Sequence, residues 1–424
     1  MKNNWHIETK AIQSGYSPEN GAPRVVPIAQ STTFRYDDAA SVAALFDLEA
    51  EGHIYTRLSN PTTEAFENKI AAMEKGKAAV ATSSGQAAIM MAILNVCPSG
   101  CHFLAGSSLY GGSVSTFNNT FRKMGVEVTF FDQELPVDEI LKLARPNTKL
   151  LYGEMLANPA LKVLDLEKFS LIAGKLDIPL FVDNTFPSPY LCNPVDFGAD
   201  VIVHSTSKYI DGHAVALGGI VVDCGTFNWD NGKFPEFTEP DESYHGVIYT
   251  KDFPESPFAV KLRAQWLRDT GATISPMNAF LSSLGTETLH LRMERHCQNA
   301  LKLGQFLQGH KNVSWVNYPM LPDNSEYERG RKYLKGGSGV LTFGVKGGKS
   351  EGEKVMNLLR LAAIVVHVSD VRTGVLHPAS MTHRQLTEDQ QRAAGVTPDL
   401  IRVSVGIEHI DDIIEDFNQA LNSI

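Results

Sequence analysis

IPLFVDN (178–184) and ADVIVHS (199–205) are short apolar runs without polar alternation, and each ends in residues able to do chemistry, Asp183 and Ser205. A strand that is apolar on both faces belongs in a sheet covered on both sides. KAAVATSS (77–84), CHFLAGS (101–107), GVEVTFFD (125–132), TKLLYGEM (148–155) and LGGIVVD (217–223) follow the same rule. The segments between several of them carry helical patterning. Alternating helices and buried strands predict an α/β fold with a largely parallel sheet.

Before this region lie some sixty residues without a period, punctuated by Gly15, Pro18, Gly21, Pro23 and Pro27, with a helix-like stretch from Ala39 to Glu51. They are expected to form an arm, residues 1–60. Asn60-Pro61 starts a helix, with Asn as N-cap and Pro in the first position, and TTEAFENKIAAME (62–74) continues it. A large domain is expected over 61–285, carrying an aperiodic surface insertion at about 225–256. A helical stretch from about Asn278 to Leu307 is interrupted near Gly285. A smaller C-terminal α/β domain, 286–424, is expected from the strands SGVLTFGVK (338–346), AAIVVHVS (362–369) and LIRVSVG (400–406) and two helical segments.

Composition excludes much. The chain has 424 residues, 43% apolar and 20% charged, with 34 Gly and 21 Pro, the profile of an ordinary globular protein. Against 48 acidic residues stand 38 basic ones, and the net charge of −10 argues against nucleic acid or an anionic membrane as partner. Five scattered cysteines fit a reducing compartment better than a disulfide framework, so a cytoplasmic location is expected. The opening MKNNWHIETKAIQSG has no continuous apolar core of a secretory signal. Ala78 to Phe121 contains no Asp, Glu, Lys or Arg, yet TSSGQ (82–86) and CPSG (97–100) break it into pieces shorter than the ~20 residues a membrane span needs. Neither a phosphate-loop motif nor a dinucleotide fingerprint occurs. His204, His213, His290, His296, His367, His377 and His383 show no zinc-site spacing, so no metal is expected.

Several residues could carry chemistry, each with an ordinary structural alternative. Lys208, after a buried strand, would be partly desolvated; desolvation lowers an ammonium pKa, as a Schiff-base lysine requires. Otherwise it is a solvated lysine. Asp183 is either a turn residue or a buried carboxylate for the ring nitrogen of a bound pyridine. Gly85 and Gln86 open a helix whose free N–H groups could bind phosphate, or lie in an ordinary cap. Tyr110, before two glycines, could stack on a planar ligand or simply pack. Tyr55 and Arg57, in the arm, offer a phenol and a guanidinium for phosphate, and an arm often reaches across an interface to a second chain. Arg402, in an apolar strand, needs an anion, and a substrate carboxylate is the economical partner.

Taken together, YTRLSNPT (55–62), TSSGQAA (82–88), SLYGG (108–112), LFVDNT (180–185), HSTSKYIDGH (204–213), HPASMTH (377–383) and LIRVSVGIE (400–408) resemble the signatures of the pyridoxal-phosphate enzymes of cysteine and methionine metabolism. The resemblance runs from His6 to about Leu421. It implies the fold type I architecture of aspartate aminotransferase, and usually a homotetramer of two active dimers. The insertion FPEFTEPDESYHGVIYTKDF (234–253), the segment from Leu267 to Cys297 and the stretch from His383 are most similar to the O-acetylhomoserine sulfhydrylase subfamily. Methionine γ-lyases commonly carry a cysteine where Gly112 stands.

By that resemblance Lys208 is the Schiff-base lysine and Asp183 the partner of the ring nitrogen. Gly85, Gln86, Ser205 and Ser207 hold the phosphate of pyridoxal 5'-phosphate, joined by Tyr55 and Arg57 of a neighbouring subunit. Tyr110 stacks on the ring and assists proton transfer, while Arg402 and Asn158 hold the substrate carboxylate. Relatives have Asn or Ser where this chain has His367; Ser369 lies nearby and is taken as the further carboxylate contact. The implied reaction is γ-replacement: O-acetylhomoserine and sulfide, or another sulfur donor, give homocysteine and acetate, a step of methionine biosynthesis. The nearest rival is a γ-lyase that releases 2-oxobutyrate from methionine, homocysteine or cystathionine. A catalytically silent relative would lack Lys208, Asp183 or Arg402, and all three are present.

Overall fold

The structure is a computed structural model that describes residues 5–381, 384 and 395–424. His383 and most of the segment after it, through Ala394, lie outside the described residues.

All seven expected strands of the first sheet form: β1 (Ala78–Thr82), β2 (His102–Gly106), β3 (Glu127–Phe131), β4 (Thr148–Glu154), β5 (Leu180–Asp183), β6 (Val201–Ser205) and β7 (Gly219–Asp223). Their order is β1-β7-β6-β5-β4-β2-β3. Strands β2 to β6 pair in parallel, and β7 runs antiparallel between β1 and β6. Side chains alternate between two cores, as a sheet covered on both faces requires. Leu104, Leu151, Leu180, Val182 and Ile202 enter one core, with Phe66, Ile70 and Phe169 from helices 61–74 and 166–176. Phe103, Leu150, Tyr152, Phe181 and Val203 enter the other, against Ile89 and Ile93 of helix 85–94. Only the edge strand β3 departs from this pattern, with Glu127 exposed and its middle half-buried.

The N-cap at Asn60 is as its sequence predicts: the side-chain oxygen accepts from Thr62 N at 2.9 Å, and the helix runs Pro61–Glu74. Other expectations need correction. The arm is not wholly irregular, because Ile7–Gln13 is a helix whose Ala11 enters the first core. The helix expected from Ala39 to Glu51 ends at Phe46. The long helical stretch divides at Thr288, three residues after Gly285, into Pro276–Glu287 and Leu289–Gly309.

The insertion at 225–256 is not simply a surface loop. Trp229, Phe234, Phe237, Tyr244 and Tyr249 are buried in the second core. The Trp229 ring stacks on Phe237 at 4.6 Å and on Phe258 at 5.4 Å. Aromatic residues without periodicity hid this packing, because here each short turn supplies one or two anchors.

A second sheet has the order β10-β11-β12-β9-β8, from β8 (Val313–Asn317), β9 (Val340–Val345), β10 (Ala363–Ile364), β11 (Gly374–Leu376) and β12 (Leu400–Ser404). β10 and β11 are parallel and the remaining pairs antiparallel. AAIVVHVS, expected as a full buried strand, pairs only at Ala363 and Ile364, both exposed; Val365 and Val366 are exposed too. Its chain leaves the sheet and carries His367 toward the first sheet. β8 and β11 were not expected.

Among the described residues, no helix is long and apolar enough to cross a membrane. The uncharged stretch from Ala78 to Phe121 instead forms β1, helix Gly85–Leu94, β2 and the helical turns from Gly111.

If the insertion is a packed part of the core, Trp229→Ala should cost about 3–5 kcal/mol of unfolding free energy, as loss of a buried Trp does elsewhere. Urea unfolding followed by far-UV circular dichroism measures it; a change under 1 kcal/mol would show that the insertion packs loosely.

Candidate active site

In a parallel sheet the C-terminal strand ends open onto a common crevice. Here β4 ends at Glu154, β5 at Asp183 and β6 at Ser205, with Lys208 in the turn beyond. Helix Gly85–Leu94 points its N-terminus at the same place. Ser84 caps it, its hydroxyl accepting from Ala87 N at 3.2 Å, while the amides of Gly85 and Gln86 have no intrahelical acceptor. A Cβ on Gly85 would stand 2.6 Å from Ser205 Cβ, so only glycine lets this helix end close on the end of β6.

Asp183 is 6% exposed. Its carboxylate accepts from Thr185 N at 3.0 Å and from the Tyr152 hydroxyl at 3.4 Å. Burial pushes its pKa above the ordinary carboxylate value despite these bonds. Glu154, its register neighbour on β4, is buried as well, and desolvation together with the Asp183 charge pushes its pKa well up. Glu154 accepts from Tyr110 N at 2.6 Å and from Asn158 N at 3.1 Å. One carboxylate thus ties down two neighbouring candidate residues.

Tyr110 leaves 48% of its surface exposed over the crevice. A Cβ at Gly112 would meet its ring at 2.4 Å and the Gln86 amide at 2.8 Å, so the glycine gives the ring its place beside Gln86.

On the other wall, Arg402 of β12 is buried. It donates to Asn158 Oδ1 at 3.2 Å and to Val366 O at 2.9 Å, and among the described residues its Nε has no partner. Burial brings the guanidinium pKa down to about 10. Lys208 is brought down to about 8 by burial and then by the Arg402 charge. Its Nζ lies 3.4 Å from His367 Nδ1.

The structure therefore gathers Lys208, Asp183, Tyr110, Asn158, Arg402, Gly85, Gln86 and Ser205 around one crevice. Ser207 lies there too, but its hydroxyl is engaged with the Gly218 backbone, donating to O at 3.2 Å and accepting from N at 3.0 Å. Tyr55 and Arg57 stand elsewhere on the chain. Tyr55 is exposed, and Arg57 lies over its ring at 5.4 Å and donates to Arg268 O at 3.0 Å.

Ser369 is not brought to the crevice. Its φ is 75° and its N–H donates to Ser404 Oγ at 2.7 Å, which turns a fully buried side chain toward the Tyr209 hydroxyl. His367, two residues before it, is the residue that faces Lys208. Sequence reading also missed Glu154, Tyr152 and Thr185. Glu154 had the signal that found Asp183, an acid closing a buried strand.

The other described histidines serve separate partners: His204 meets Glu74 at 2.6 Å, His296 meets Val405 O at 2.7 Å, and His377 meets Ser380 and Pro398. No group of three or more metal-ligating side chains occurs among the described residues.

The family model for the Cys/Met metabolism PLP-dependent enzymes matches residues 8–422. The chain belongs to that family. Among its relatives, the O-acetyl-L-homoserine sulfhydrylase of Leptospira meyeri is 45% identical, with 100% of this chain and 98% of the relative covered. The homocysteine synthase of Schizosaccharomyces pombe is 44% identical, with 98% of each chain covered. A crystal structure from Campylobacter jejuni, named for an O-acetylhomoserine (thiol)-lyase, superposes with a TM-score of 0.95 at 36% identity over 99% of this chain and 100% of that one. It contains N'-pyridoxyl-lysine-5'-monophosphate. These neighbours make the fold that of the PLP-dependent enzymes.

The residues present in this family member fit pyridoxal 5'-phosphate. Free helix amides at Gly85 and Gln86 suit its phosphate, buried Asp183 suits a ring N–H, the open face of Tyr110 suits the ring, and Lys208 suits its carbonyl.

Because burial lowers Lys208, its capture of an aldehyde in cofactor-free protein, trapped by borohydride and read by peptide mass spectrometry, should rise with pH to a midpoint near 8. A midpoint near the ~10.4 of an ordinary lysine would contradict the desolvated placement.

Proposed function

We propose that this enzyme converts O-acetyl-L-homoserine and sulfide, or a thiol, into homocysteine, or methionine, and acetate. The observation that carries the reading is the junction of Lys208 and Asp183 with the Arg402–Asn158 pair in one crevice. Two relatives named for sulfhydrylase and homocysteine synthase activity support replacement over elimination.

Bound pyridoxal phosphate supplies a carbonyl for amine exchange and a protonated ring that withdraws electrons from the substrate Cα. Arg402 and Asn158 hold the substrate carboxylate and thereby aim the Cα–H bond at Lys208 Nζ. Lys208, with a pKa of about 8, has an accessible neutral form, and its amine takes the Cα proton. Once it has passed that proton on and regained its electron pair, the same amine takes a Cβ proton, acetate leaves from Cγ, sulfide adds there, and the protons are returned to Cβ and Cα. Asp183 keeps the ring nitrogen protonated. Glu154 holds the backbones of Tyr110 and Asn158, so ring stacking and carboxylate binding share one support. Gly85, Gln86 and Ser205 bind the phosphate, and Ser207 joins them when its bond to Gly218 is exchanged.

The reading extends to assembly. Exposed Tyr55 and Arg57 reach the phosphate of a neighbouring subunit, and the working form is a cytoplasmic homotetramer. Within each chain, residues 1–60 act as the arm, 61–285 as the cofactor domain and 286–424 as the small domain.

Lys208→Ala should abolish turnover and the visible absorption, near ~420 nm, of lysine-bound cofactor. Purified protein given O-acetylhomoserine and sulfide should form homocysteine and acetate in equal amounts. Rapid 2-oxobutyrate release from homocysteine or methionine with negligible homocysteine synthesis would overturn the replacement reading.

A further inference from the structure

His367 lies where the chain leaves β10, one residue from Val366, whose carbonyl is held by Arg402. Its position beside Lys208 sets it apart from the other described histidines, of which His204, His290 and His296 also keep one buried ring nitrogen unpaired. Its Nδ1 faces Lys208 Nζ at 3.4 Å, and its Nε2 is buried with no hydrogen-bond partner among the described residues. A lysine ammonium has no acceptor, so a hydrogen bond between them makes Nδ1 the acceptor and leaves the ring proton on Nε2.

Two acids act on the ring. Asp370, three residues on, and Asp211, in the turn after Lys208, both act on His367 electrostatically. Each has one buried carboxylate oxygen, Oδ1, that is likewise without a partner. Asp211 uses Oδ2 for the amides of His213 and Val215, and Asp370 uses Oδ2 for Arg372. A buried ring nitrogen and two buried carboxylate oxygens, all unpaired among the described residues and on groups that act on one another electrostatically, are an unusual set to leave in a folded protein.

Resting on the assignment of Lys208 as the cofactor lysine, we propose that His367 is a second proton-handling residue of this site, taking a proton from Lys208 Nζ on Nδ1 and returning it there. In the forward step an Nζ–H bond breaks with its electron pair left on Nζ, and an Nδ1–H bond forms. The imidazolium so made carries protons on both nitrogens, and Asp370 and Asp211 partly offset its charge. Lys208 regains a free electron pair for the next C–H bond, here at Cβ, without releasing its first proton to solvent. No outside oxidant, reductant or co-reactant is needed.

The groups acting on His367 set the sign of its pH dependence. Burial, then Lys208, and more weakly Arg402, lower its pKa below 6.5, against the opposing pull of Asp370 and Asp211. The neutral imidazole is the working form, so activity should fall as pH drops through a value below 6.5.

The test compares holoenzyme forms of wild type, His367→Gln and His367→Ala by kcat and KM for O-acetylhomoserine across pH 5 to 9. Gln keeps an acceptor for Lys208 but takes up no proton. The proposal expects kcat to fall roughly 10²-fold in both variants with KM changed less than threefold, loss of the acid limb below pH 6.5, and partial recovery of the Ala variant by added imidazole. The visible absorption of lysine-bound cofactor should persist in both. Variants within twofold of wild-type kcat, or a fall in kcat with the acid limb intact and no imidazole rescue, would overturn the role of His367. Failure of the Lys208 assignment reads out separately, as turnover and absorption that survive Lys208→Ala.

Discussion

The constraint on which the site depends is that like charges are buried together and opposite charges are kept apart. Glu154 and Asp183 are register neighbours at the ends of β4 and β5. Lys208 and Arg402 are close enough for the arginine to depress the lysine. Among the described ion pairs, none joins either acid to either base. Desolvated like charges destabilise one another, so this arrangement favours a ligand that brings the complement: a protonated ring for the acids, and a carboxylate and a carbonyl for the bases. The parallel sheet makes it possible, because its strand ends deliver side chains to one edge without bringing their own counter-ions.

The same constraint explains the local architecture. Glu154 spends both oxygens on backbone amides, Tyr110 N and Asn158 N, and so stiffens the crevice rather than neutralising it. Asp183 is held by Tyr152 and Thr185, and the Thr185 hydroxyl accepts from Ser205 N at 2.9 Å. β5 and β6 are therefore locked together next to the proposed lysine. The net charge of −10 coexists with a crevice that presents cations and free amides to anions, which shows how little an overall balance says about a buried site.

The first sheet was fully legible in the sequence because each strand is a short apolar run closed by polar residues, and burial on both faces leaves no other reading. Asn60-Pro61 was legible because capping is local chemistry. The insertion was not, since its aromatics gather through tertiary contacts that follow no period. AAIVVHVS misled because an apolar β-branched run reads as a strand, whereas only two of its residues find a pairing edge. That break is what frees His367 to turn toward Lys208. Glu154 went unnoticed although the rule that found Asp183 applies equally to it; Ser369 was named for its nearness in sequence, and its left-handed backbone turns it the other way.

The central claim is that buried Asp183 is held for a cationic ring and is a burden without it. Burial raises its pKa, so its ionised form opposes folding increasingly as pH rises from the ordinary carboxylate value through the raised one. Thermal unfolding at pH 7 of wild type and Asp183→Asn, each with and without saturating pyridoxal phosphate, tests this directly. The account predicts that the cofactor-free variant melts at or above cofactor-free wild type, and that cofactor raises its melting temperature less than it raises that of wild type. A cofactor-free variant that melts lower, with the same rise on cofactor addition, would contradict it.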